Sequence, residues 1–243
     1  MLKKHFNTGR PFCFLLLNMP KHTLTEKLIP IAVLIIVAIG FWLFYTDLAA
    51  FGRYVVEDGP VEWITVAGLL AGSIVSLYRF VHLFKAKAWW FLTVTFLLGL
   101  LLFFAAGEEI SWGQRLLGIK SSEFFEQNNA QGETNLHNLV VKGEKLNKII
   151  FSTLLSICMG IYLVLVPVLH AKVKGMRSFI DRSGVPVAQL YQVVCFVVLI
   201  ILTTLLKHEK NAELLECGFG LLFFLVIRYP VNRYIFSKLS KTP

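Results

Sequence analysis

Residues 89–115 read WWFLTVTFLLGLLLFFAAGEEISWGQR. The stretch from Trp89 to Ala106 holds no charged residue, and at 1.5 Å per residue it nearly spans a hydrocarbon core of about 30 Å. A helix that is apolar on every side must be buried in a large core or in lipid. The 243-residue chain is 56% hydrophobic, only 16% charged, and has a mean hydropathy of +0.67, which points to lipid. The polar run Gly107-Glu108-Glu109-Ile110-Ser111-Trp112-Gly113-Gln114-Arg115 follows without a break. One stretch therefore carries both a membrane span and a candidate site at its end.

Outward from it lie five further apolar stretches, 28–50, 61–84, 148–170, 189–207 and 212–229. None shows the apolar-polar alternation of barrel strands, and backbone groups in lipid must bond within their own segment, so each is predicted to be a helix. The expected fold is all-α: a polytopic membrane helix bundle of about six transmembrane helices. Residues 1–27 form a basic N-terminal segment, 28–236 the transmembrane domain with an outward loop at 107–147, and 237–243 a tail. The first twenty residues imitate a signal peptide, with Lys3, Lys4 and Arg10 before Phe12 to Leu17, but no small-residue cleavage site follows, so they are expected to be retained. Gly68 and Gly72, and Gly218 and Gly220, suit close helix packing.

Charge gives the orientation. One alternating set of segment ends and loops holds sixteen Lys and Arg against Glu26 and Asp181; the other holds eight against thirteen carboxylates. Basic residues are retained on the cytoplasmic side, so both termini are expected there and the opposite face is acidic. The formal charge of +9 is read as topology, and no nucleic-acid partner is expected, because the basic residues sit in short clusters and not on one polar face. Cys13, Cys158, Cys195 and Cys217 are widely spaced, with no CxxC pair, and read as buried, unpaired thiols. His5, His22, His82 and His170 lie beside Lys or Arg at inward helix ends and read as interface residues, and Trp89-Trp90 as an aromatic belt.

Four clusters on the acidic face could carry chemistry. If the helix continues past Glu109, Glu108, Ser111, Trp112 and Arg115 share a face, and the structural reading pairs Glu108 with Arg115 while Trp112 anchors the interface. In Gln131-Gly132-Glu133-Thr134-Asn135-Leu136-His137-Asn138, a helix would put Glu133 one turn from His137, a pairing suited to a divalent metal or to acid-base work; a capped surface turn is the alternative. Glu209, Glu213 and Glu216 would share a face of the last helix, with Glu216 below the boundary, where an ionisable group is a functional candidate. Glu57-Asp58-Gly59-Pro60-Val61-Glu62 reads as helix initiation, with Glu62 available to a shared site.

The strings GEEISWGQR and QGETNLHN resemble the hallmark segments of an uncharacterised family of bacterial multi-pass inner-membrane proteins. That resemblance implies a location in the bacterial inner membrane and attaches no activity. The Glu108-Glu109 pair, Arg115 and the later His137 are also similar to the glutamate-pair, arginine and histidine arrangement of intramembrane CAAX-type proteases. Here five residues separate Glu109 from Arg115 where that family has three, and its other histidine motifs have no counterpart, so no protease activity is carried over.

The expectation is an outward-facing acidic polar site on a metal-dependent enzyme acting on a lipid or lipid-linked substrate. A non-catalytic accessory, sensor or scaffold protein and a channel or transporter stay open beside it. Six carboxylates near one imidazole would repel without added positive charge, which makes a divalent metal the expected cofactor, with zinc, manganese or iron suited better than magnesium. Glu108, Glu109, His137 and Glu213 are the candidate metal ligands or acid-base groups, and Asn138 and Arg115 would orient substrate. Membrane lipids are the expected partners, with a homo-oligomer or a membrane protein partner also open.

Overall fold

The computed structural model describes residues 22–136, 138–141, 144–145, 154–208 and 210–239. Among them the regular elements are helices apart from one two-residue antiparallel ladder, β1 (Val140–Val141) with β2 (Glu144–Lys145). The helices are α1 (Leu24–Thr46), α2 (Leu48–Tyr54), α3 (Pro60–Leu83), α4 (Trp89–Glu109), α5 (Gln114–Leu117), α6 (Glu123–Asn128), α7 (Leu155–Gly160), α8 (Val166–Lys172), α9 (Lys174–Arg182), α10 (Leu190–Leu205) and α11 (Asn211–Arg228). A π turn, Ile161–Leu165, joins α7 to α8.

Among the described residues three helices, α1, α3 and α4, are long and apolar enough to cross a membrane. The run Ile157–Lys172 and α9 together pass the same test but bend by 120° at Val173, so they count as one broken span or a re-entrant turn. Of the remaining two stretches, α10 has only 16 residues, and α11 carries Glu213, Glu216 and Arg228 within its 18. The exposed faces of α1 and α4 are themselves apolar, with Leu28, Ile31, Ile35, Leu97, Leu101 and Phe103 at or above half exposure, an arrangement that water would penalise and lipid would not.

Local sequence accounts for the helix starts. Thr23 and Glu26 form a reciprocal capping box at the head of α1, and Asp47 caps α2 through the Ala50 N–H. Pro60 occupies the first turn of α3, where its missing N–H costs nothing.

The packing register sets the directions. Ser73 Oγ donates to the Gly99 carbonyl at 2.8 Å and Phe80 meets Phe96, so α3 and α4 run antiparallel. Gly68 meets Gly220, and the Arg79 side chain reaches the Ile227 carbonyl, so α3 and α11 run parallel. A Cβ on Gly68 would lie 2.7 Å from the Gly220 carbonyl carbon, which is why this crossing needs glycine. Gly40 against Leu214, with Gln189 bridging Glu26 and the Tyr229 carbonyl, sets α1 antiparallel to α11. Phe196 stacks edge-on with Phe219 and Phe223 between α10 and α11.

This register gathers the start of α3, the end of α4 and the start of α11 at one end of the bundle, the acidic end. The end of α3, the starts of α1 and α10 and the end of α11 lie at the other, the basic end. Cys158 is exposed, Cys195 half-buried and Cys217 buried, and all three are free; Cys158 thus departs from the expected burial, since α7 buries none of its described side chains.

Candidate functional site

The acidic end is closed by the chain after α4, and there the expected helix does not continue. It stops at Ile110, and Ser111, Trp112 and Gly113 take positive φ values of 46°, 56° and 75°. A left-handed backbone is ordinary for glycine but costs about 1–3 kcal/mol at a serine or tryptophan, so something must hold it. Trp112 lies against Phe103, Phe104 and the bare backbone of Gly107, and its Nε1 donates to Glu108 at 2.8 Å. The fully buried Ser111 donates to Glu133 and accepts from Asn135 Nδ2 at 2.8 Å.

The break re-aims Arg115. Its guanidinium lies 2.9 Å from Glu133, 2.9 Å from Glu62, 2.7 Å from Asp58 and 3.6 Å from Glu57. The contact to Asp58 is an ion pair whose angle does not make it a hydrogen bond. Burial works against the charged guanidinium, but Glu133, Glu62 and Asp58 outweigh it and push its pKa above the already high ordinary value. The expected Glu108–Arg115 pair is therefore corrected, since with the turn reversed Glu108 instead accepts from Trp112 Nε1 and, at 2.6 Å, from the Leu136 N–H. Glu62, buried at 4% exposure, also accepts the Asp58 N–H, so the start of α3 both initiates a helix and supplies a wall of this network.

The segment around Glu133 is not helical either. The described residues from Gln131 to Asn138 are turns, bends and irregular chain, with Gly132 at φ 70°, so the expected helix after Gln131 does not form. Its order comes from amides: Asn129 Nδ2 donates to both the carbonyl and Oδ1 of Asn135, the Glu133 N–H bonds Asn129 Oδ1, and the Thr134 N–H bonds Gln114 Oε1 at 2.7 Å. Asn138 Nδ2 is bound to Gln131 at 2.6 Å. His137 and Glu209 lie outside the described residues.

A second set of carboxylates sits behind the first. Glu109 feels Glu213, Glu62 and Glu108 as like charges, and Glu216 feels Glu109, Glu213 and Glu62. Glu109, Glu213 and Glu216 are only partly exposed and make no ion pair or hydrogen bond among the described residues; Lys210 is the cation acting on Glu213. The acidic end thus holds one set organised by Arg115 and one facing mainly its own charge. Among the described residues no three His, Cys, Asp or Glu side chains already stand in a metal-ligand arrangement.

The network members absent from the sequence reading are Ser111 as a partner of Glu133, the Asn129–Asn135 pair, and Glu57 and Asp58 as partners of Arg115. Asn and Gly in QNNAQGETNLHN signal turns, which could have argued against a helix there; no residue type signals positive φ at Ser111 and Trp112. All three non-glycine residues of positive φ among those described, Asp58, Ser111 and Trp112, lie at this end.

Comparison with protein-family models, curated proteins and solved structures finds no match for this chain, so the two resemblances carried by its motifs gain no support from them.

Proposed function

We propose that the chain is a multi-pass protein of the bacterial inner membrane that crosses it six times with both termini in the cytoplasm, and that its acidic end is an outward-facing, metal-dependent enzymatic site for a lipid or lipid-linked substrate. The observation that carries this reading is the division of the carboxylates. Arg115 is consumed by Glu57, Asp58, Glu62 and Glu133, which leaves Glu109, Glu213 and Glu216 partly buried with little positive charge to face. Such a set calls for a cation, and a hard or borderline divalent ion suits carboxylate oxygens. Glu109 and Glu213 are the proposed first ligands, with His137 from the loop as a further ligand or acid-base group. Strained backbone gathered at the same end supports a site held in advance by the fold.

Three of the residues first assigned to chemistry are engaged within the chain. Glu108 supports Trp112 and Leu136, Arg115 gathers four carboxylates, and Asn138 bonds Gln131. Their proposed role shifts from direct chemistry to positioning. This engagement also favours a second reading, a non-catalytic accessory or scaffold whose acidic end is a rigid cap.

Titration of Mn²⁺ or Zn²⁺ into the full-length protein in detergent tests the proposal. The wild type should bind one ion, and Glu109→Gln with Glu213→Gln should weaken binding by roughly 10–100-fold, whereas Glu123→Gln on exposed α6 should not. No saturable binding, or equal loss in the Glu123→Gln protein, would leave the cap reading in its place.

A further inference from the structure

Among the described residues, the two carboxylates of the basic end are already occupied. Glu26 accepts from Thr23 and Tyr191 and lies 3.2 Å from His22, while Asp181 is bound by His170, Asn232 and Tyr234. Lys85 and Lys238 are exposed, and among the described residues neither makes an ion pair or a hydrogen bond. They line one groove of about 680 Å³ together with Phe80, Val81, His82 and Phe84. The His82 ring stacks on Tyr78, with centroids 5.3 Å apart and planes 14° off parallel.

An apolar track leads into this groove. Ile74, Tyr78, Val81 and Lys85 follow one another at i, i+4, i+7 and i+11 along α3 and just past its end, and so lie on one face. The first three are 66%, 63% and 71% exposed. The face is therefore a strip of exposed side chains, running from the middle of a candidate span to its end and finishing in two lysines. A ligand that fits it has an anionic head and a long apolar tail.

We propose that this groove binds one anionic glycerophospholipid from the adjacent leaflet, its phosphate between Lys85 and Lys238 and an acyl chain along Val81, Tyr78 and Ile74. His82 lines the same groove and offers a further N–H. The assignment rests on the chain lying in a membrane and is independent of the acidic end, so failure of either leaves the other standing.

The test is native mass spectrometry of the full-length protein in a mild detergent, titrated with phosphatidylglycerol and with phosphatidylcholine. Phosphatidylglycerol should bind at least about tenfold more tightly. A basic residue at an anionic surface contributes about fivefold, so Lys85→Gln with Lys238→Gln should weaken that binding by about 25-fold, and Lys85→Arg with Lys238→Arg should restore it. Lys174→Gln, an exposed lysine on α9, should leave it unchanged. Val81→Asp should also weaken it, since the tail would meet a charge. Equal binding of the two lipids, or a loss in the Lys174→Gln protein matching that of Lys85→Gln, would overturn the site. Displacement of phosphatidylglycerol by millimolar inorganic phosphate would overturn the lipid assignment by showing that the head alone is recognised.

Discussion

The two ends of the bundle solve opposite electrostatic problems. At the basic end two carboxylates are surrounded by donors: Asp181, 1% exposed, takes His170 Nε2 at 3.0 Å, Asn232 Nδ2 at 2.9 Å and the Tyr234 hydroxyl, and Glu26 takes Thr23 and Tyr191. Both carboxylates there are held by several donors, and Lys85 and Lys238 are exposed. The Arg79 guanidinium turns back onto the Ile227 and Arg228 carbonyls, satisfying the end of α11, and lies over Phe236. At the acidic end one arginine serves four carboxylates and others are left to face each other. A buried charge that is fully bonded fixes structure, whereas partly buried charges in excess mark a place where the fold leaves room for something positive.

The sharpest way to break this comparison is Arg115→Ala, which strands the buried Glu62 and leaves Glu133 without its ion pair. The expected loss is about 3 kcal/mol in detergent unfolding, against nearly none for Lys120→Ala at an exposed position. Equal stabilities would mean that the four carboxylates are solvated and that Arg115 organises nothing. At the other end Asp181→Ala should cost about 2 kcal/mol, because Asn232 and Tyr234 lose an acceptor and Asn232 is fully buried. A stability unchanged by this substitution would remove the claim that the basic end is closed by bonding.

The smallest effect concerns pH. Burial, then the bond to Asp181, pushes the Tyr234 hydroxyl up to about 12 from an ordinary 10. The folded state thus holds this proton more tightly than the unfolded one; the associated stability is complete below about pH 10 and is lost as pH rises towards 12. Tyr234→Phe should flatten the stability difference across that window in parallel denaturation curves, and an unaltered slope would place the hydroxyl in water.

The sequence reveals what lipid and charge dictate and hides what a reversed turn dictates. Runs such as 89–106 and 61–84 lie on helices whose bounds, Trp89–Glu109 and Pro60–Leu83, differ by a few residues, because apolar length is written in composition. Gly68 and Gly72 mark a close crossing because only a small residue allows one. The continuation of α4 to Arg115 fails because helical spacing fits the sequence well, while the left-handed Ser111 and Trp112 are held by Glu133, Asn135 and Glu108, contacts 4 to 24 residues away. His170 was legible as an interface residue from its neighbours Lys172 and Lys174, yet it is buried against Asp181, since the 120° bend at Val173 folds α9 back over α8. The acidic end was legible as a concentration of carboxylates, and its division into two sets was not, because that division depends on where one guanidinium points.

The central claim is that the acidic end faces outward and the basic end inward. Reporter fusions after Lys87, Arg182, Gly59, Lys120 and Lys210 of the full chain test it most directly. The account predicts cytoplasmic signals after Lys87 and Arg182 and external signals after Gly59, Lys120 and Lys210. An external signal after Lys87, with a cytoplasmic one after Gly59, would contradict it and turn the carboxylate site towards the cytoplasm.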